Sequence, residues 1–218
     1  MLSDNAAVSE PTPEVEAEPA VAATVFGDRI DLARRYTADL AARGEQLGLI
    51  GPLELPRLWS RHIVNCGVVA PLLRPGLVGD IGSGAGLPGI VLAIARPDVR
   101  FVLIEPMERR VHWLDEQREQ LGLTNVTVAR ARAEEYRGEK LNQVTARAVS
   151  AFSKLIPLCA RLLGPAGEMV LMKGAGATAE IEAAAKAIRK FRLTDVTVLE
   201  LGESLGVDVT RVITARVP

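Results

Sequence analysis

The chain has 218 residues, 48% hydrophobic but only 4% aromatic, and its 26 Lys and Arg nearly balance 27 Asp and Glu for a formal charge of −1. That size and apolar content predict one sizeable core, and no apolar run approaches the roughly 20 residues needed to cross a bilayer. The acidic N-terminus is unlike a secretion signal, and Cys66 and Cys159 lie far apart with no second Cys or His placed to suggest a metal site, so none is expected and the reading is a soluble, cytoplasmic protein with reduced core thiols.

Residues 1–22 are rich in Ala, Glu and Pro without an apolar stripe, and read as a disordered acidic tail. Six acids and no base fall in the first 28 residues, leaving 26 bases against 21 acids in the remainder. That mild positive bias permits a phosphate-rich partner. Residues 23–75 read as a helical cap. Phe26, Ile30, Ala33, Leu40 and Leu47 recur at near-helical spacing up to Gly48 and Gly51. A second helix over 58–69 places Trp59, Ile63 and Cys66 on one face, with Arg57 and Arg61 projecting elsewhere.

From 76 to 218 the pattern alternates. Strands are expected at 77–82, 100–105, 125–130, 142–147, 167–172, near 195–200 and at 209–216. Helices are expected at 87–96, 107–121, 153–163 and 176–191. This order predicts an α/β fold with a mostly parallel sheet, helices on both faces and an antiparallel closing pair.

The run from Val78 to Gly89 reads as a buried strand, an acidic strand end at Asp80, a glycine-rich turn and a helix start. Glycines permit positive φ and close approach of a ligand, and Pro88 suits a first helical turn. Gly84, Gly86 and Gly89 also match the dinucleotide-binding pattern. Asp80 argues against a pyrophosphate there and suits the ammonium and sulfonium of S-adenosylmethionine (AdoMet). Glu105 ends the next strand, 23 residues beyond Gly82, near the spacing at which a carboxylate holds ribose hydroxyls in either cofactor. At the other strand ends stand Arg132-Ala133-Glu134-Glu135, Arg147 and Lys173, so acids and glycines flank one half of the site and cations the other. The division fits a cofactor on the acidic side and an anionic substrate on the basic side.

Asp80 to Gly89, with Arg61-His62 upstream and Arg132 to Glu135, Ala146-Arg147-Ala148 and Lys173-Gly174 downstream, resembles the RsmG (GidB) family of bacterial 16S ribosomal RNA methyltransferases. The resemblance runs from about residue 24 to the C-terminus. It implies a class I, Rossmann-like methyltransferase that carries a methyl group from AdoMet to N7 of a guanine in the 530 loop. Gly82 and Leu87, with Gly84 and Gly86 of the same turn, would line the methionine and adenosine side, and Ala133 and Glu134 the adenine region. Arg147 would sit beside the transfer centre, as cofactor contact and catalytic residue, and Glu105 would hold the ribose where the family more often has Asp. Val149 stands where the family pattern suggests Phe, leaving Phe152 as a substitute for stacking on the target base. Arg61, His62 and Lys173 are assigned to the RNA backbone, with packing in the cap helix an equally good account of His62. The partner is 16S rRNA or the 30S subunit, met by a monomer without metal or membrane. Guanine N7 presents a lone pair and no proton, so no general base is needed and catalysis rests on positioning and electrostatics. An AdoMet enzyme acting on a small molecule and a non-catalytic RNA-binding factor remain the alternatives.

Overall fold

The computed structural model describes residues 14–218. Seven strands, β1 (Leu77–Ile81), β2 (Arg100–Ile104), β3 (Val126–Ala129), β4 (Leu141–Arg147), β5 (Leu163–Lys173), β6 (Thr194–Leu201) and β7 (Thr210–Arg216), form one sheet in the order β3-β2-β1-β4-β5-β7-β6. The first five are parallel, while β7 pairs antiparallel with both β5 and β6. The order reverses direction between β1 and β4, the point at which open α/β sheets leave a crevice beyond their carboxyl ends.

Alternate residues of each strand feed two cores. On one face Val78, Phe101 and Leu103 pack with α1 (Val21–Phe26), α2 (Ile30–Arg43), α4 (Gly89–Ala95) and α5 (Glu108–Gln120). On the other, Ile81, Val102, Ile104 and Val144 pack with α6 (Phe152–Leu162), α7 (Ala177–Ala183) and α8 (Ala185–Phe191). In α2 the buried residues are Ala33, Tyr36, Thr37 and Leu40, the spacing of a one-sided helix. The N-terminal helices therefore share the first core and do not form a separate cap with a core of its own.

Several boundaries differ from the sequence reading. Residues 1–13 of the expected tail lie outside the described residues, but Glu16, Glu18 and Ala22 of the remainder are tied to the body of the protein. Glu16 donates its N–H to Leu55 O at 2.9 Å and accepts Ser60 N at 2.9 Å, and Glu18 pairs with Arg34 at 2.6 Å. These side-chain partners supply an order that composition does not reveal. The expected helix at 58–69 is a π-helical turn, Leu58–Val64, running into the short α3 (Asn65–Gly67), with Trp59, Ile63 and Cys66 buried as anticipated. The helix at 176–191 is broken at the buried Ala184 (φ −88°, ψ 0°), which lets α7 pack on β6 and β7 while α8 packs on α6. β5 begins at Leu163, before Ala166 at φ 55°, because Leu163 pairs with Leu141 across an irregularity in the register.

The turn after β1 carries Gly82, Gly84 and Gly86 at φ 66°, 56° and 97°, so all three lie in the left-handed region that glycine favours. A Cβ on Gly86 would meet Ile90 Cγ1 at 2.5 Å and Leu114 Cδ2 at 3.2 Å, whereas one on Gly84 would have nothing nearer than Gly82 O at 3.8 Å. Gly86→Ala is accordingly expected to lower unfolding stability by roughly 2–5 kcal/mol, and Gly84→Ala by only about 1–2 kcal/mol. Denaturant titration of both variants checks the difference.

Candidate functional site

The glycine turn is held from three directions. The buried Ala85 carbonyl accepts the Tyr36 hydroxyl from α2 and the Trp113 indole N–H from α5, both at 2.8 Å. Asp80, wholly buried beneath the turn, accepts Gly89 N at 3.0 Å through Oδ2, while its backbone carbonyl accepts Ser83 Oγ at 3.0 Å. Glu105 accepts Gly84 N at 2.9 Å and Met107 N at 3.0 Å. Burial pushes the Asp80 carboxyl up to about 7, against the hydrogen bonds from Ser83 and Gly89 and the charge of Arg147. The sequence reading aimed Asp80 at a cationic ligand. Its first contact is instead the turn itself, and its Oδ1 is buried without a hydrogen-bond partner.

These residues fit AdoMet. The space a side chain would fill above Gly84 is open, and two acids stand at adjacent strand ends with backbone N–H groups between them. Leu87 follows the turn but is largely buried, and Ala133 is buried in the 3₁₀ turn Ala133–Glu135 beyond β3, with Glu134 exposed beside it. Glu105 joins β2 to both neighbours, through Gly84 and by donating its N–H to Ala129 O of β3 at 3.1 Å.

Across the switch point lies a cavity of about 970 Å³ lined by Arg61, His62, Arg147, Val149, Lys173 and Arg211 among others. It shares a wall with the glycine turn. After Arg147 the chain passes through Ala148 at φ 55°, a conformation that L side chains rarely adopt and that is commonly kept at working sites. This sends Arg147 toward the N-terminal helices and brings Val149 over the turn, so that a Cβ on Gly82 would meet Val149 Cγ2 at 3.2 Å. Arg147 donates Nη2 to His62 Nδ1 at 2.8 Å and Nη1 to Arg61 O at 3.3 Å. His62 in turn meets Glu54 Oε2 at 2.6 Å through Nε2.

Three assignments are corrected. Lys173 lines the cavity, but its side chain is 7% exposed and its ammonium is already committed, since Nζ donates to Ser150 O at 2.6 Å and pairs with Glu180 at 2.8 Å. Glu180 also accepts Phe152 N at 2.7 Å, so this pair fastens the 148–151 segment to the start of α6. His62 is buried at the cavity wall with both ring nitrogens engaged, by Glu54 and Arg147, which leaves neither for an RNA phosphate. Phe152 is wholly buried and cannot stack on a base, because it opens the apolar face of α6 with Leu155, Ile156 and Cys159. Arg61 alone of the three proposed RNA contacts is exposed, at 60%.

Residues the sequence reading passed over include Glu54, Asn65, Tyr36 and Arg211. The antiparallel closing pair was the available signal for Arg211, since it places the start of β7 beside Lys173 at the carboxyl end of β5. Cys66 and Cys159 are buried and unpaired, and burial pushes their thiols up to about 11 and about 12. Among the described residues no cluster of His, Cys, Asp or Glu is placed to hold a metal, and no helix is long and apolar enough to cross a membrane.

The corrected roles separate two cations that look alike in sequence. Lys173→Ala strands Glu180 and the Ser150 carbonyl and is expected to cost roughly 1–3 kcal/mol of stability, whereas Arg61→Ala is expected to stay within about 0.5 kcal/mol of the parent. Thermal unfolding of the two variants decides between them.

Comparison with known proteins bears on the fold and the family. Residues 29–209 match the family model GidB, rRNA small subunit methyltransferase G. Ribosomal RNA small subunit methyltransferase G of Clavibacter michiganensis subsp. michiganensis is 68% identical over 93% of this chain and 97% of its own length. That of Leifsonia xyli subsp. xyli is 66% identical over 94% and 99%, respectively. Among solved structures, TYW2 of P. horikoshii in complex with MeSAdo aligns with a TM-score of 0.58 at 13% identity over 72% of this chain and 62% of that one. TYW2 of M. jannaschii in complex with AdoMet aligns with a TM-score of 0.55 at 19% identity over 71% and 74%. These structural likenesses show the class I methyltransferase fold, and the family match shows that the chain belongs to the rRNA small subunit methyltransferase G (GidB) family.

Proposed function

We propose that this AdoMet-dependent rRNA methyltransferase modifies N7 of a guanine in the 530 loop of 16S rRNA, acting as a cytoplasmic monomer on the rRNA or the 30S subunit. The observation that carries the reading is the shared wall. Val149 lies over Gly82 and, with Arg147, Ala148 and Ser150, lines the basic cavity, so a donor in the turn and a base in the cavity would meet at one boundary.

AdoMet supplies a methyl group made electrophilic by the sulfonium. Gly82, Gly84 and Gly86 would let the backbone lie against it, with Leu87 beside the turn and the buried Asp80 keeping the turn in shape. Glu105 would exchange its bond to Gly84 N for the ribose hydroxyls. Ala133 and Glu134 would flank the adenine from the far side of β3.

Guanine N7 attacks through its own lone pair, so no side chain has to remove a proton. The work left to the protein is orientation and charge. Arg147 spends two of its five N–H groups on His62 and Arg61 O, and the rest are free to donate to guanine O6 while leaving N7 clear. Arg61 at the rim would meet a phosphate. The exposed Val149 would offer an apolar contact in place of the aromatic ring expected there. Few aromatics face the cavity, which favours a structured particle over naked single strands as the substrate.

Transfer of labelled methyl from AdoMet to 30S subunits and to 16S rRNA from a strain lacking the endogenous activity tests the reading. The expected product is label at one 530-loop guanine, located by N7-specific cleavage. Label on an exocyclic amine or a ring carbon, or none on either substrate, contradicts it.

A further inference from the structure

We propose that Glu54 and His62 form a positioning pair that holds the Arg147 guanidinium at the transfer centre, with Glu54 selecting the one imidazole tautomer able to accept from Arg147. The inference rests on the functional reading above and names the residues that orient its arginine.

A guanidinium offers only donors and a carboxylate only acceptors. Arg147 Nη2 lies 2.8 Å from His62 Nδ1, so Nδ1 must present its lone pair. The ring proton then resides on Nε2, which lies 2.6 Å from Glu54 Oε2. Neutral His62 protonated on Nε2 satisfies both ends, and neither the other tautomer nor the imidazolium does. Arg57, 2.7 Å from Glu54 Oε1, and the Arg61 guanidinium, 3.8 Å from Oε2, fix the carboxylate in turn. The second bond of Arg147, to Arg61 O, comes from the same π-helical turn, so the turn grips the guanidinium at two points. π-Helical irregularities recur at working sites because they aim side chains that a regular helix would not.

A proton added at Nδ1 turns the acceptor into a donor and sets a cation against Arg147, which releases it. Burial, and then Arg147, hold the His62 ring below its ordinary value, while Glu54 pulls it upward. Burial opposes the charge on Glu54, yet the hydrogen bonds from His62 and Arg57 hold its carboxyl below the usual range. The other groups around the ring do not replace this logic. Arg61 adds a like charge from the same turn, and the charge of Arg147 also acts on the buried Asp80, Tyr36 and Cys66. Lys173 and Glu180 across the cavity neutralise each other, and Arg211 is engaged by Glu200.

The test combines kinetics with a direct view of the ring. With 30S subunits and AdoMet, His62→Ala and Glu54→Ala are expected to lower kcat about tenfold, as for one lost hydrogen bond, with KM for AdoMet within about twofold. His62→Asn, whose amide oxygen can stand in for Nδ1 but cannot titrate, should recover much of that loss and abolish the acid-side fall in kcat expected of the parent. Glu54→Gln should keep kcat near neutral pH and move that fall to lower pH, because the charge favouring the imidazolium is gone. Ring 15N shifts of His62 in the full chain should show Nε2 protonated and Nδ1 bare. An Nδ1-protonated ring, an unchanged kcat in both alanine variants, or an acid limb that survives in His62→Asn overturns the positioning role while methyl transfer itself stands. A parent protein that shows the expected ring but methylates no ribosomal substrate overturns the functional reading, and this inference with it.

Discussion

The carbonyl of Ala85 is the point on which the rest of the structure depends. It lies in a turn built from three left-handed glycines, it is buried, and it takes hydrogen bonds from two elements remote from each other in sequence, α2 and α5. A buried carbonyl stripped of both donors would cost on the order of 1–3 kcal/mol, so the N-terminal helices and the first crossover are held to the turn as much as it is held to them. A second tie lies alongside. Arg43 of α2 makes paired 2.8 Å bonds to Glu116 of α5 and stacks over the Trp113 ring at 5.2 Å. The donor side of the site is therefore rigid and assembled from three segments of chain.

The acceptor side is organised by different means. Residues 147–151 leave β4 through a strained Ala148, and that strain is sustained because both flanks are fastened. Arg147 is bound to the π-helical turn, and Ser150 O to Lys173. Two cations that would each suit an anionic ligand thus have unequal parts. Lys173 is consumed in holding the loop, whereas Arg147 keeps free donors facing the cavity. The charges divide accordingly, with Asp80 and Glu105 bonded to the glycine turn and Arg147, Arg61 and Arg211 lining the cavity.

Most of the donor side was legible in the sequence, because its signals are local. A buried strand, an acid, three glycines and a helix start are contiguous, and Glu105 recurs one strand later at the expected distance. The alternation of strands and helices similarly predicted the parallel sheet and its antiparallel edge. What was not legible depends on partners remote in sequence. His62 owes its role to Glu54 eight residues before it and Arg147 eighty-five after it, and Lys173 owes its burial to Ser150 and Glu180. Phe152 differs, since its repeat with Leu155, Ile156 and Cys159 already marked it as core. The ties that Glu16 and Glu18 make to the body of the protein rest on single contacts, which an Ala-, Glu- and Pro-rich composition conceals.

The central claim is that the donor turn and the acceptor cavity meet at the wall formed by residues 147–150. Solving the protein with S-adenosylhomocysteine tests it most directly. The account predicts the thioether sulfur at the junction of Gly82 and Val149, opening toward the cavity, with Arg147 still bound to His62 and the ribose hydroxyls on Glu105. A sulfur turned away from the cavity, or a ribose held by residues other than Glu105, would contradict it.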